Sequence, residues 1–222
     1  MIPIDTIVVP QGAEYQAVCR GLKKAHADLV RVIAIPMGTT NIELTLTRYS
    51  SELTNAHNIL IMGLCGSLTQ KYTVGDIALY KSCRSLNDVE INLDFQLTTA
   101  IEEKLSVRLV AGLTCDRVIF QASEKLRLGN TYHASVVDME GYGYVKKLQQ
   151  PKVSVAMLRV VSDSTSGDIP DLSSAIDAAG NLKTTEMAIA FIKQPIAAIR
   201  LIRGSLIALN KLQQITYQLT MS

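Results

Sequence analysis

The sequence contains no tryptophan, only three phenylalanines and no pair of closely spaced cysteines. Without aromatic side chains on which bases could stack, it does not resemble a single-stranded nucleic-acid binder. The four cysteines are widely spaced and the three histidines are isolated, so the sequence offers no cluster of metal ligands. We therefore expect no metal ion, no other cofactor, and thiols that stay reduced.

Charge and long apolar runs are also scarce. Charged residues make up 19% of the chain and the formal net charge is +2, which argues against a dedicated binder of nucleic acid or another polyanion. No apolar run reaches the roughly 18 residues of a membrane span. The first residues lack the basic start and apolar core of a signal peptide. We therefore expect a cytoplasmic protein.

Hydrophobic residues, by contrast, make up 48% of the 222 residues, enough for a large core. Short apolar runs alternate with stretches of helical spacing, as in DTIVVP (5–10) followed by GAEYQAVCRGLKKA (12–25). Nearly continuous apolar strands, such as NILIMGLCGSL (58–68), predict burial on both faces. The sequence therefore predicts a single α/β domain over residues 1–222, with a central mixed, largely parallel sheet flanked by helices.

The remaining predicted strands are VRVIAIPMG (30–38), VGDIALYKSCRSL (74–86), VRLVAGLTC (107–115), ASVVDME (134–140) and VSVAMLRVVSD (153–163). TTNIELTLTRYSSEL (39–53) is a predicted helix with Thr39, Thr40 and Asn41 as candidate caps.

Polar groups interrupt the predicted strand ends, where ligands bind in sheets of this kind. They are Glu14, the turn of residues 63–66 (GLCG), Asp138 with Glu140, and Ser162 with Asp163. The two glycines of the turn let the backbone approach a ligand, although an ordinary tight turn would also use them. Glu14 in a first helical turn is likewise favoured by the helix dipole alone.

The acidic residues suit the recognition and cleavage of a sugar derivative. A carboxylate at a strand mouth accepts hydrogen bonds from two neighbouring hydroxyls, which is one interpretation of Glu140. Asp163 follows a buried strand, and burial keeps a carboxyl protonated, as a general acid requires. The structural alternatives are that Asp138 and Asp163 cap helices or loops, and that Glu140 favours the positive end of a helix.

The segments GLCGSL, VGDIAL, VVDMEGYGYV and LRVVSDS resemble the nucleoside phosphorylase and nucleosidase superfamily, which includes methylthioadenosine/S-adenosylhomocysteine nucleosidases. The similarity runs from residue 6 to about residue 171, and its most specific parts are residues 137–140 (VDME) and 159–163 (RVVSD). CDRVIFQASEKLRL and, more loosely, the tail DAAGNLKTTEMAIAFIKQPIAAIRLIRG are most similar to the hopanoid-biosynthesis-associated branch.

The resemblance implies the three-layer fold of that superfamily and roles for matching residues. Glu140 would bind the ribose 2′ and 3′ hydroxyls, while Met139 would pack against the sugar and Asp138 would shape the turn. Asp163 would protonate N7 of a purine, and Glu14 would activate water. The other predicted substrate-binding residues, which would line the base and sugar pockets, are Leu64, Cys65, Gly66, Val118, Ile119 and Ser162.

Departures from the family pattern bear on which nucleophile is used. Phosphorolytic members usually carry Arg and Ser around the glycine turn, where this chain has Ile61 and Leu64, and an apolar pair gives phosphate no donors. Residues 36–38 (PMG) alter the turn after the second strand, and Val118 replaces an aromatic residue that often stacks on the base. We predict hydrolysis of a purine nucleoside. The alternatives are phosphorolysis, with phosphate as co-substrate, and a non-catalytic nucleoside-binding protein.

The tail from residue 187 onwards contains no acidic residue and is predicted to be a basic amphipathic helical region over about residues 187–219. On a helical wheel, Arg200, Arg203 and Lys211 fall within an arc of about 80°. The apolar residues on the other side are Ile199, Ile202, Leu206 and Leu209.

Two interpretations of this tail stay open. Its apolar side packs on the domain and leaves a solvated basic stripe, or the helix lies at an anionic membrane surface. The second would place the protein at the inner face of the membrane and suit a lipid-linked nucleoside such as adenosylhopane. The resemblance also implies a homo-oligomer.

Overall fold

The computed structural model describes residues 4–36, 38, 42–53, 55–87, 89–175 and 183–221. Its strands are β1 (Thr6–Pro10), β2 (Arg31–Ile35), β3 (Asn58–Ser67), β4 (Ile77–Ser85), β5 (Ile91–Asn92), β6 (Leu109–Thr114), β7 (Val136–Asp138) and β8 (Ser154–Asp163). Its helices are α1 (Ala13–Ala25), α2 (Ile42–Arg48), α3 (Ser50–Leu53), α4 (Phe95–Leu105), α5 (Ala122–Tyr132), α6 (Gly141–Leu148), α7 (Thr184–Lys193) and α8 (Pro195–Thr220).

These strands form one mixed sheet in the order β2-β1-β3-β7-β6-β4-β5, and β8 pairs with both β3 and β4. The parallel pairs are β1–β2, β1–β3, β3–β8, β4–β6 and β6–β7. The antiparallel pairs are β3–β7, β4–β5 and β4–β8. Because β8 bridges β3 and β4, the strands β3, β7, β6, β4 and β8 close into a ring.

This architecture confirms the predicted α/β fold with a mixed, largely parallel sheet flanked by helices. Each predicted strand is present, and the predicted helix over 39–53 appears as the two shorter helices α2 and α3. The prediction missed β5, because its two residues are too few to show a strand pattern, and it missed the closed ring, because pairing between distant strands leaves no local pattern. The candidate caps Thr39, Thr40 and Asn41 lie outside the described residues.

Strand residues are buried on both sides of the sheet, as the apolar runs predict. In β3, Ile59 and Ile61 belong to a cluster that includes Val145 of α6. Leu60 and Met62 belong to a second cluster, with residues of α1, α4 and α8. Because successive side chains of a strand point to opposite faces, helices cover β3 on both sides.

Three strand ends meet where the polar groups interrupt the sequence. Gly66 of β3 pairs with β7 and with Asp163 of β8. The register between β3 and β8 shifts after Cys65, which makes Ser162 an extra residue in β8. Glu140 lies just beyond β7. The fold therefore gathers side chains from distant parts of the sequence at one place.

If the apolar side of α8 packed on the domain, Ile199, Ile202 and Leu206 would be buried. The structure buries a different side of the helix. Ile199, Ile202 and Leu206 are 60%, 45% and 57% exposed. The buried residues in its first half are small: Ala198, Gly204 and Ala208. Small residues allow a close approach to the sheet and leave the large apolar side chains outside. Among the described residues, no helix has both the length and the apolar character needed to cross a membrane.

Candidate active site

A cavity of about 220 Å³ lies at the ends of β3, β7 and β8. Its lining includes all ten predicted site residues: Glu14, Leu64, Cys65, Gly66, Val118, Ile119, Met139, Glu140, Ser162 and Asp163. Asp138, predicted to shape the turn, also lines it, as do five residues without a predicted role: Arg117, Val137, Ile169, Leu172 and Leu201.

Glu14 reaches the cavity from the first turn of α1. Its Oε1 accepts a hydrogen bond from the backbone N–H of Leu64 at 2.6 Å. Gly63 leaves room for this side chain, because a Cβ there would lie 2.9 Å from Glu14 Oε1 and 2.3 Å from Arg159 Nη1. A ligand at the glycine turn therefore meets a carboxylate in place of the Leu64 N–H.

The protonation of Glu14 is altered by its surroundings. Burial and the neighbouring Glu140 raise the pKa of Glu14 from 4.5 to about 7, although Arg159 and the Leu64 N–H act in the opposite direction. Near neutral pH, the carboxylate and the carboxylic acid are therefore present in comparable amounts. A base with such a pKa is suited to accept a proton from water under physiological conditions.

Glu140 forms a buried ion pair with Arg159 of β8, whose Nη1 donates to Glu140 Oε1 at 2.8 Å. Burial raises the pKa of Glu140, while Arg159 and a backbone hydrogen bond from Gly38 lower it. Burial alone would lower the pKa of Arg159, but Glu140 and Asp138 raise it, so the guanidinium stays charged. A carboxylate accepts about four hydrogen bonds, so Glu140 retains capacity for sugar hydroxyls.

Within the described part of the chain, Nε and Nη2 of Arg159 have no hydrogen-bond partner. Nε lies 3.9 Å from Asp138 Oδ2, a distance too long for a hydrogen bond. Buried donors without a partner are unfavourable, so a water or ligand oxygen next to this guanidinium would be stabilised.

Asp138 organises the turn between β7 and α6. Its Oδ1 accepts hydrogen bonds from Thr114 Oγ1 at 2.7 Å and from the Gly141 N–H at 2.8 Å. Its Oδ2 accepts one from Tyr80 Oη at 3.0 Å. These contacts fix the backbone that carries Glu140 into the cavity, and they agree with both the turn-shaping and the capping interpretations.

Asp163 ends β8 and forms an ion pair with Lys125 of α5, whose Nζ contacts Asp163 Oδ1. Ser162 Oγ lies 3.0 Å from Asp163 Oδ2 and 3.2 Å from the carbonyl oxygen of Cys65. Gly66 leaves room for the carboxylate, because a Cβ there would lie 2.9 Å from Oδ1. Besides the burial that the sequence predicts for Asp163, the structure places a fully buried ammonium, that of Lys125, next to its carboxylate.

Lys125 was missed at the sequence level, although one signal was present. It shares a helical face with Leu128 and Tyr132, three and seven positions further on. A lysine on the apolar face of a helix indicates a buried charge that needs a partner. The partner is 38 positions away, so only the fold identifies it.

The rest of the cavity wall is mostly apolar. It includes Val118, Ile119, Ile169, Leu172 and, from α8, Leu201. An apolar cavity with a few convergent polar groups is typical of a small-molecule site. Within the described residues, no three His, Cys, Asp or Glu side chains are grouped so that they could hold a metal ion.

A family model described as the phosphorylase superfamily matches residues 8–193. The match spans most of the chain, so the chain belongs to the phosphorylase superfamily. It is an enzyme of the nucleosidase or nucleoside phosphorylase class. No curated protein matches the sequence.

Solved structures with this fold include a 5′-methylthioadenosine/S-adenosylhomocysteine nucleosidase from Campylobacter jejuni. It is 15% identical, with a TM-score of 0.63, and the alignment covers 96% of this chain and 99% of that one. The native futalosine hydrolase of Helicobacter pylori is 14% identical, with a TM-score of 0.63 and 97% of both chains covered. At these identities the likeness concerns the fold.

Proposed function

We propose that the protein hydrolyses the N-glycosidic bond of a purine nucleoside and releases the free base. The observation that carries this proposal is the Glu14 carboxyl, which is held in the cavity by the Leu64 N–H and has a pKa of about 7. A group of this kind takes a proton from water as the water attacks the anomeric carbon of the sugar.

The same observation favours water over phosphate as the nucleophile. Phosphate needs donors at the glycine turn, but the Leu64 N–H is already bonded to Glu14. The carboxylates of Glu14 and Glu140 would repel a phosphate dianion, and the Ile61 and Leu64 side chains offer it no hydrogen bond. Phosphorolysis is the second candidate, because Arg159 Nη2, unpaired within the described residues, would suit an anion.

The remaining groups complete the proposed reaction. Asp163 donates a proton to N7 of the base, so that the base leaves as a neutral molecule. Glu140 accepts hydrogen bonds from the ribose 2′ and 3′ hydroxyls, and Met139 packs against the sugar. Cleavage passes through an oxocarbenium-like transition state, as in glycoside hydrolysis, and a carboxylate at the sugar stabilises its positive charge. Val118 and Ile119 contact the base.

Chromatographic measurement of free base from adenosine and methylthioadenosine, with and without phosphate, tests this proposal. We expect release without phosphate, and we expect Asp163→Asn and Glu14→Gln each to lower kcat by about 10²- to 10⁴-fold. Asp28→Asn, at an exposed position before β2, is the control and should keep wild-type activity. A strict need for phosphate would replace hydrolysis by phosphorolysis, and unchanged release by Asp163→Asn would contradict its role as the acid.

We also propose that the substrate carries an apolar group, as in the adenosylhopane associated with the branch that the sequence resembles most. The cavity wall of Ile169, Leu172 and Leu201 is apolar and reaches α8. On α7 and α8, seven large apolar side chains are exposed, and we call them the apolar patch: Ile189, Ile192, Ile196, Ile199, Ile202, Leu206 and Ile207.

The apolar patch has the charge pattern of a helix that lies at an anionic membrane surface. Lys193 and Arg203 are exposed beside it, and no acidic residue follows Glu186. Exposed apolar side chains with basic residues around them bind in the headgroup region of anionic membranes. We therefore propose a cytoplasmic protein that binds peripherally to the inner face of the membrane. A homo-oligomer, with a second copy covering the apolar patch, is the competing arrangement, and vesicle sedimentation distinguishes the two.

A further inference from the structure

Lys125 occupies a position that is unfavourable for a lysine. Its side chain is completely buried, so the ammonium has lost its hydration. It also lies near the N-terminus of α5, where the helix dipole disfavours a cation. The contact that offsets these two costs is the ion pair with Asp163. The ammonium is thus buried behind the cavity wall, and the carboxylate of the pair, Asp163, lines the cavity.

Two glycines on different elements permit this contact. A Cβ at Gly129, one turn after Lys125, would lie 2.5 Å from the carbonyl oxygen of Leu68, so α5 approaches the end of β3 very closely. Gly66 leaves the corresponding room at the Asp163 carboxylate. The two glycines thus let α5 and the Asp163 carboxylate each pack closely against the end of β3, where Lys125 contacts Asp163.

Packing alone gives no reason for a charge at this place. Replacing a buried ion pair by well-packed hydrophobic residues of similar volume is often neutral or stabilising. A fixed ammonium next to a group on which negative charge develops, by contrast, lowers the barrier of the reaction, because it needs no reorganisation. The charge of Lys125 is thus better explained by chemistry at Asp163 than by the stability of α5.

We infer that Lys125 is a positioning residue for proton transfer by Asp163, whose Oδ1 it holds and whose carboxylate it stabilises as the proton leaves Oδ2. This inference rests on the proposed function. In that step the O–H bond of Asp163 breaks and the N7–H bond of the base forms, while the electron pair of the glycosidic bond stays with the base. The oxygen of the attacking water forms the new bond to the anomeric carbon, Glu14 takes the proton of this water and releases it to solvent, and solvent returns a proton to Asp163.

The test compares adenosine with 7-methyladenosine, whose base leaves without being protonated. In the full-length enzyme, we expect Lys125→Met to lower kcat on adenosine by about 10²- to 10³-fold with a much smaller change in KM. On 7-methyladenosine we expect a loss below about 5-fold, because no acid is needed. In an Asp163→Asn background, Lys125→Met should cause no further loss. Lys23→Met, exposed on α1, is the control.

Equal losses on the two nucleosides would indicate a general structural effect, and a further loss in the Asp163→Asn background would indicate that Lys125 acts on another group. Either result overturns the inference. A wild-type enzyme that releases base from neither nucleoside would overturn the proposed function itself. Since Met leaves a buried carboxylate without its partner, folding is checked by circular dichroism. Lys125→Gln, which keeps a donor to Oδ1, is the second variant and should show the same difference between the substrates.

Discussion

The position of Glu14, which suits its proposed role as the base, is unfavourable for folding. Its pKa rises from 4.5 to about 7 because the carboxyl is buried beside Glu140. The folded protein therefore binds the Glu14 proton more tightly than the unfolded chain does. The free energy of unfolding consequently decreases as pH rises from about 4.5 to about 7. At about 1.4 kcal/mol for each pKa unit, the loss is on the order of 3 kcal/mol.

Glu14→Gln should remove this loss, because the amide stays neutral and its oxygen still accepts from the Leu64 N–H. We expect the variant to exceed the wild type in free energy of unfolding by on the order of 3 kcal/mol at pH 8, and by less than about 1 kcal/mol at pH 5. Urea denaturation at the two pH values measures the difference. Glu103→Gln, at an exposed position of α4, is the control. Equal stability of Glu14→Gln and wild type at pH 8 would contradict the burial of this carboxyl.

The sequence predicts the acids of the site better than their partners. Asp138, Glu140 and Asp163 stand in short local motifs at strand ends, so pattern and chemistry suffice to select them. Lys125 and Arg159 were given no role, because their contacts depend on side chains that meet only in the folded chain. In the structure, Arg159 forms an ion pair with Glu140 and Lys125 forms one with Asp163. No local pattern in the sequence indicates these pairs.

At the scale of elements, strands were easier to predict than the orientation of α8. Continuous apolar runs identify the strands, since burial on both faces leaves few polar positions. For α8, the wheel places the large apolar residues opposite the basic stripe, but it does not say which side faces the sheet. Gly204 decides this, because a Cβ there would lie 2.0 Å from the carbonyl oxygen of Ser162.

Gly204→Ala should therefore push α8 away from β8. Although alanine favours a helix over glycine by about 1 kcal/mol, the overlap with a backbone oxygen should lower the free energy of unfolding by about 1 to 3 kcal/mol in total. Activity should also fall, because Ser162 precedes Asp163. Urea denaturation and base release measure the two effects. Asn210→Ala, on the exposed side of α8, should change neither. A Gly204→Ala protein more stable than wild type would contradict the close packing.

At the scale of the whole molecule, charge is distributed unevenly along the chain. The formal net charge is only +2, yet all 20 acidic residues lie at or before Glu186. The segment that follows is therefore basic, and it carries the whole apolar patch. Attraction to an anionic surface should accordingly be local to α7 and α8 and should not be a property of the protein as a whole.

Sedimentation with vesicles of phosphatidylcholine, with and without phosphatidylglycerol, tests this locality. We expect the protein to pellet with the anionic vesicles and to be released at high salt. Ile199→Ser combined with Leu206→Ser should weaken pelleting but leave cleavage of adenosine unchanged. Leu29→Ser, at a side chain that is 97% exposed elsewhere, is the control. Equal sedimentation with both vesicles would contradict membrane contact, and a stable dimer that this double variant dissociates would assign the apolar patch to a second copy.

The position of β8 also has a consequence for synthesis of the protein. Among the described residues it is the last strand to leave the ribosome, yet it lies between β3 and β4. A nascent or truncated chain that ends before residue 154 therefore has two strands with open edges, which invite pairing with other chains. It also lacks Asp163. Such an incomplete chain should aggregate unless a chaperone binds it or a protease degrades it. It also has no assembled site with which to act on a nucleoside.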